Sequence, residues 1–209
     1  MERVRIAVLV SGGGTNLQAL LDAEASGRLK SGTISAVISD RPGAYALERA
    51  RKAGVPAREI GKKACGSREA FEARLTEALR ESGAEIIVLA GFLSILSADF
   101  TRAWDHRILN IHPSLIPSFC GEGFYGLKVH EAALARGVKL TGATVHFVNE
   151  IPDGGEIVAQ QAVEVRPEDT PETLQRRVME QAEWVLLPRA AEEVCRKRLE
   201  ERTGSSESE

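Results

Sequence analysis

Arg5 to Val10, Thr33 to Ser39 and Glu85 to Ala90 are short stretches dominated by Ile, Val, Leu and Ala. The third, Glu-Ile-Ile-Val-Leu-Ala, lacks polar alternation, as expected of a strand buried on both faces of a parallel sheet. Between these stretches the apolar positions change period. Leu17, Leu20 and Leu21 fall on one helical face, as do Phe71, Leu75 and Leu79. Gly12-Gly13-Gly14, Arg41-Pro42-Gly43 and Ser82-Gly83 punctuate the alternation. A β-α-β-α rhythm of this kind predicts a three-layer α/β fold, a parallel sheet with helices on both faces.

The second half is less regular. Arg107 to Ile111 reads as a strand, followed by a Gly, Pro and aromatic loop from Pro113 to Gly126 and a helix from Leu127 to Arg136. Gly142 to Val148 alternates, with Ala143, Val145 and Phe147 on one face and Thr144 and His146 on the other. Glu156 to Val165 is expected to pair with it as an antiparallel hairpin around Pro152-Asp153-Gly154-Gly155. Thr170-Pro171 opens a long C-terminal helix whose inner face is Leu174, Val178, Val185 and Leu186, and which Pro188 should kink or interrupt. The Ser/Glu-rich residues 203–209 read as a disordered tail. No repeat or linker is visible, so the expectation is one domain over residues 1–202, its halves meeting near residue 105.

Composition narrows the classes. The 209 residues are 43% apolar and 27% charged, ordinary for a globular protein. With 27 basic against 30 acidic residues the net charge of −3 argues against a nucleic-acid partner. No apolar run approaches the roughly 20 residues that span a bilayer, and Ile6 to Val10 is too short for a secretory core. Cys65, Cys120 and Cys195 have neither disulfide nor zinc spacing, and the histidines have no metal-ligand spacing, so a reduced, cytoplasmic, metal-free protein is expected.

Three places offer chemistry. Ser11-Gly12-Gly13-Gly14-Thr15-Asn16 lies between the first strand and the first helix, where outward amides and the helix dipole favour an anion; the alternative is a tight turn with no ligand. It is neither a P-loop nor a GxGxxG pattern, so a small phosphorylated metabolite fits better than a dinucleotide. In Asn110-Ile111-His112-Pro113 the amide and imidazole point to the same side, suited to an oxygen that gains negative charge in acyl transfer; a capped strand end is the plainer reading. Asp153 is either ordinary turn chemistry before Gly-Gly or a carboxylate brought beside His112 to favour the imidazolium and relay protons. His146 is taken as structural or half-exposed, and His106, His130 and Cys120 are given no chemistry.

Ser11 to Gln18, Leu89-Ala90-Gly91-Phe92, Asn110 to Leu115, Gly142 to Val148 and Asp153-Gly154-Gly155 together resemble the glycinamide ribonucleotide formyltransferases of purine biosynthesis, across nearly the whole chain up to about Pro188. The resemblance implies a Rossmann-like, mostly parallel sheet and transfer of a formyl group from 10-formyltetrahydrofolate to the amine of 5'-phosphoribosylglycinamide. By matching positions it implies that Asn110, His112 and Asp153 are catalytic. It assigns Gly14, Thr15, Asn16 and Glu183 to the ribonucleotide. Arg68, Leu93, Ser94, Ile95, Leu96, Asn110, Asn149, Glu150, Ile151, Pro152 and Asp153 are assigned to the folate. Residues 1–105 then form the phosphate-binding half and 106–202 the catalytic and folate-binding half. Small molecules are the partners implied, with the protein acting as a monomer or homodimer. Ser94 departs from the pattern, which often has Arg there, and the loop Phe119 to Gly126 is longer than the common version. Hydrolysis of the formyl-folate would use the same trio, but such enzymes usually carry an extra N-terminal domain, and Met1 runs straight into the first strand. Formylation of an initiator tRNA would need a basic surface. A non-catalytic nucleotide module would have no use for the trio.

Overall fold

A computed structural model describes residues 2–206. The chain divides into two compact units, Met1–Leu96 with Pro188–Glu209, and Ser97–Leu187. The sequence had placed the division near residue 105 and kept the C-terminal helix with the second half.

In the first unit β1 (Val4–Val10), β2 (Gly32–Ser39), β3 (Ala57–Glu59) and β4 (Ile86–Leu89) run parallel in the order β3-β2-β1-β4. β1 lies between β2 and β4, and its side chains are buried except that of Arg5. All four residues of β4 are buried, as its unbroken apolar run requires. The helices are α1 (Thr15–Ala25), α2 (Tyr45–Lys52), the single turn α3 (Lys62–Cys65) and α4 (Arg68–Glu81). Phe71, Leu75 and Leu79 are buried on α4, and Leu17, Leu20 and Leu21 on α1. Sequence periodicity did not find β3 or α2. The first is three residues long with no apolar member beyond Ala57, and the second buries only Ala46, Leu47 and Ala50 between charged residues. The strand order reverses between β1 and β4, so the loops that follow these strands diverge and leave the corner where open α/β sheets take ligands.

In the second unit α5 (Ala98–Ala103) leads into β5 (Ile108–His112), α6 (Leu127–Arg136), β6 (Leu140–Phe147), β7 (Ile157–Glu164) and α7 (Pro171–Val178). β6 pairs antiparallel with both β5 and β7, which gives the expected hairpin. β6 is the middle strand of the three, and Thr141 to His146 are all buried, so the face that carries Thr144 and His146 is not exposed.

Thr170 caps α7 through a reciprocal box with Thr173, and Pro171 occupies the first turn. A π-turn, Met179–Glu183, then joins α7 to α8 (Trp184–Ser206). Its wider i→i+5 spacing rotates the helix that follows. Val185, expected on the inner face, is therefore 53% exposed, while Leu186 and Leu187 are buried. α8 continues through Pro188 without interruption.

From Pro188 onward α8 belongs to the first unit. Glu192 accepts the amides of Lys30 and Ser31 at 2.7 and 2.8 Å and the Ser31 hydroxyl at 2.8 Å. Arg202 pairs with Glu85 and donates to the Glu2 carbonyl. Anchored in this way, the helix runs on to Ser206, so residues 203–206 are helical where a disordered tail was expected. Residues 207–209 of that tail lie outside the described residues.

Leu75 is fully buried on α4, so Leu75→Ala should cost about 2–5 kcal/mol through lost burial and the cavity left behind. Urea unfolding measures this, and a loss below about 1 kcal/mol would place Leu75 outside the core.

Candidate active site

Residues two apart in a strand face the same way, so β5 presents Asn110 and His112 on one side. Antiparallel pairing sets His146 directly opposite Asn110 and Thr144 opposite His112. The hairpin loop after β6 then brings in Asp153. Its backbone is in the left-handed region at φ 55°, which Asp tolerates better than most residues. Gly155 secures the loop's approach, because a Cβ there would overlap the Phe147 carbonyl.

Asp153 is the hub. Its Oδ2 lies 3.4 Å from His112 Nδ1 and accepts the Gly121 amide at 2.8 Å. Its Oδ1 lies 3.5 Å from both His146 Nε2 and Asn110 Nδ2. Burial works to raise the carboxyl pKa. The neighbouring His146 and His112 rings and the Gly121 amide together outweigh it and hold the group below the ordinary carboxylate value.

His112 Nε2–H donates to the Phe119 carbonyl at 2.9 Å. Both ring nitrogens thus face acceptors, an arrangement fully satisfied only by the imidazolium. Burial pushes the other way and wins, aided by His146, so the His112 pKa is lowered despite Asp153 and Phe119. The result is an imidazole for which gaining a proton is opposed by desolvation and favoured by its contacts.

His146, expected as structural or half-exposed, is buried. It is 1% exposed, and its Nδ1–H donates to the Phe147 carbonyl at 2.8 Å. That leaves the Nε2 lone pair for the Asn110 amide, 3.2 Å away, and orients the carboxamide. The signal that would have found it is the register of an antiparallel pair, which periodicity within one strand does not contain.

The other histidines divide. His106 is exposed beside Asp105 and Glu156, outside this cluster. His130 on α6 is fully buried with no hydrogen-bond partner on either ring nitrogen, and burial, then the His112 charge, lowers its pKa to about 4.

In the first unit Gly14 begins α1 with φ 73°, and a Cβ there would lie 2.6 Å from Ala46 Cβ. Around Gly12 and Gly13 there is open space, as an anion approaching the backbone needs. Arg49 Nε donates to the Gly13 carbonyl at 2.8 Å. Thr15 is half-buried and Asn16 buried at the helix start.

The remaining residues assigned by resemblance are divided between the two units. Arg68 is the exposed first residue of α4. After β4, Leu93 and Ile95 are exposed and Leu96 is buried, while Ser94 donates its hydroxyl to Asp40. Asn149 Oδ1 accepts the Ile151 amide at 2.9 Å, making the turn that carries exposed Glu150, Ile151 and Pro152 to Asp153. Glu183 is buried in the π-turn of the second unit. Among the described residues no group of three or more His, Cys, Asp or Glu is arranged to hold a metal ion, and no helix is long and apolar enough to cross a membrane.

A family model described as formyl transferase matches residues 4–190. The chain belongs to the formyl transferase family. It is 45% identical over 196 residues to the trifunctional purine biosynthetic protein adenosine-3 of Bos taurus, covering 93% of this chain and 18% of that protein. The chain therefore spans less than a fifth of that relative's length. Against the chloroplastic phosphoribosylglycinamide formyltransferase of Arabidopsis thaliana it is 37% identical over 201 residues, 94% of this chain and 67% of the relative. The crystal structure of glycinamide ribonucleotide transformylase 1 from Symbiobacterium toebii superposes with a TM-score of 0.87 at 45% identity, covering 94% of this chain and 89% of that one. The formyl transferase fold expected from sequence is thus the fold observed, four parallel strands with an antiparallel hairpin and a long C-terminal helix.

In this member of the formyl transferase family the His112 ring should titrate below the ordinary histidine value, and Asp153→Asn, by removing the charge that favours the imidazolium, should lower the midpoint further. Histidine NMR across pH reads both; a midpoint that rises in Asp153→Asn would reverse the assigned electrostatics.

His130 gives a stability test. Its folded pKa of about 4 lies below the ordinary 6.5, so the unfolded chain binds the extra proton. The associated stability is complete above 6.5 and is lost as pH falls toward 4. At about pH 5 the loss should be about 2 kcal/mol, and His130→Leu should remove that portion of the pH dependence. Urea titrations near pH 7.5 and pH 5 compare the two; equal slopes would mean that His130 does not carry the effect.

Proposed function

We propose that this protein transfers the formyl group of 10-formyltetrahydrofolate to the amine of 5'-phosphoribosylglycinamide, a step of purine biosynthesis. The observation that carries this reading is the cluster of Asn110, His112 and Asp153 in a member of the formyl transferase family, with His112 and Asp153 3.4 Å apart. The names of relatives matched over most of this chain support the choice of acceptor.

In this reading the glycyl amine attacks the formyl carbon and forms the new C–N bond. The carbonyl oxygen becomes an oxyanion that the Asn110 amide and the His112 imidazolium stabilise. The bond to the folate nitrogen then breaks as that nitrogen takes up the proton the amine gives up. Asp153 favours the imidazolium and passes the proton, while His146 holds the Asn110 amide. Gly14, Thr15 and Asn16 take the phosphate side of the ribonucleotide, with Glu183 on the same substrate. Arg68, Leu93 to Leu96 and Asn149 to Asp153 contact the folate. The reading places the enzyme in the cytoplasm, as a monomer or homodimer, with small-molecule partners and no metal.

Incubating the purified protein with 10-formyltetrahydrofolate, with and without the ribonucleotide, tests it. Deformylation that depends on the ribonucleotide is expected. Release without an acceptor would favour a hydrolase, and no release would favour a binding module. His112→Ala should lower kcat by about 10²–10³-fold, the effect of removing one oxyanion donor, with far-UV circular dichroism unchanged. Turnover like that of the unaltered protein would remove His112 from the chemistry.

A further inference from the structure

Asp40, just past the end of β2, is 7% exposed, and its carboxylate serves two hydroxyls. Oδ1 accepts the Ser11 hydroxyl at 2.6 Å and Oδ2 accepts the Ser94 hydroxyl at 2.6 Å. Ser11 Oγ in turn accepts the Leu93 amide at 2.8 Å, and the Ser11 amide donates to the Gly91 carbonyl at 3.1 Å. The residue that opens Gly12-Gly13-Gly14 and the residues that open the 93–96 segment are therefore tied to one buried side chain. All of these groups lie in the first unit, beside the reversal of strand order between β1 and β4. Asp40, Leu93 and Ser94 also line a cavity of about 930 Å³, so a ligand entering there meets the relay directly.

The direction of the relay is set by chemistry. An ionised carboxylate only accepts hydrogen bonds, so both serines must donate to it, which leaves the Ser11 lone pairs to hold the Leu93 amide. Two short bonds from hydroxyls to a buried carboxylate are among the stronger kinds and transmit position rather than merely filling space.

We propose that Asp40 is a positioning residue that couples the two ligand loops. A ligand that orders the glycine loop improves the site for a ligand on residues 93–96, and the reverse holds by linkage. The inference rests on reading the first loop as the ribonucleotide phosphate corner and the second as a folate wall. It also gives Ser94 a use: where the resemblance leads one to expect a cation, this chain has a hydroxyl committed to Asp40.

The test is a binding cycle with tetrahydrofolate and 5'-phosphoribosylglycinamide, which together cannot react. Tetrahydrofolate is titrated calorimetrically with and without saturating ribonucleotide, and the ratio of the two dissociation constants is the coupling factor. In the unaltered protein the factor should be about 5 or more, within the usual range of such coupling. Asp40→Asn offers one acceptor and one donor, so it cannot accept from both serines, and the factor should fall below about 2. Ser94→Ala removes one arm and should lower the factor as well, which keeps the test decisive if Asp40→Asn does not fold. A residue of merely structural importance would weaken both ligands and leave the ratio unchanged. A factor of one in the unaltered protein, or one that Ser94→Ala leaves intact, overturns the inference. Failure of either ligand to bind the unaltered protein would instead sink the substrate reading.

Discussion

A carboxylate with little water around it must be surrounded by donors, and the second unit is arranged to meet that requirement at Asp153. The side chain is 14% exposed. Three donors from separate places in the sequence converge on it, His112 and Asn110 from one strand and the Gly121 amide from the long loop, while His146 on the next strand lies 3.5 Å away and holds Asn110 in place. Each contact has its own prerequisite. His146 is available because antiparallel register sets it opposite Asn110. Asp153 itself arrives through a left-handed backbone conformation and a following glycine with no room for a side chain. Losing any of these would leave a buried charge short of partners, which costs more than the lost contact alone.

The same convergence explains what the chain disclosed and what it concealed. Local signals carried far. The unbroken apolar run of β4, the shared faces of α1 and α4 and the Thr170 cap were all readable, because each is decided by residues within a few positions of one another. Asn110 and His112 were legible for that reason too. His146 was not: alternation within β6 put it on a polar face, whereas in the fold that face is buried and the partner strand sets His146 opposite Asn110. Val185 was misplaced because a π-turn is invisible to a fixed 3.6-residue period. The short strand β3 carries too little apolar surface to announce itself. The roles proposed for Glu183 and for the 93–96 segment rest on resemblance alone, since neither has a chemical pattern of its own.

The first unit solves a different problem. In the proposed reading its glycine loop leaves backbone amides accessible, and the three glycines offer no side chains to hold the loop in place. Support comes from the outside: Ala46 packs against Gly14, Arg49 fastens the Gly13 carbonyl, and the Ser11 hydroxyl is bound to Asp40. Rigidity is supplied by neighbours while the loop's own surface stays open for a ligand.

One further point concerns how the chain is assembled in time. The unit that contains β1 to β4 is discontinuous: its first 96 residues are completed by the part of α8 beyond Leu187. Glu192, which satisfies the amides of Lys30 and Ser31, is synthesised more than 150 positions after them. During translation the strands of that unit emerge long before the helix that seals them, whereas Ser97–Leu187 forms an uninterrupted segment. The N-terminal sheet therefore gains its full set of contacts only once α8 has been made.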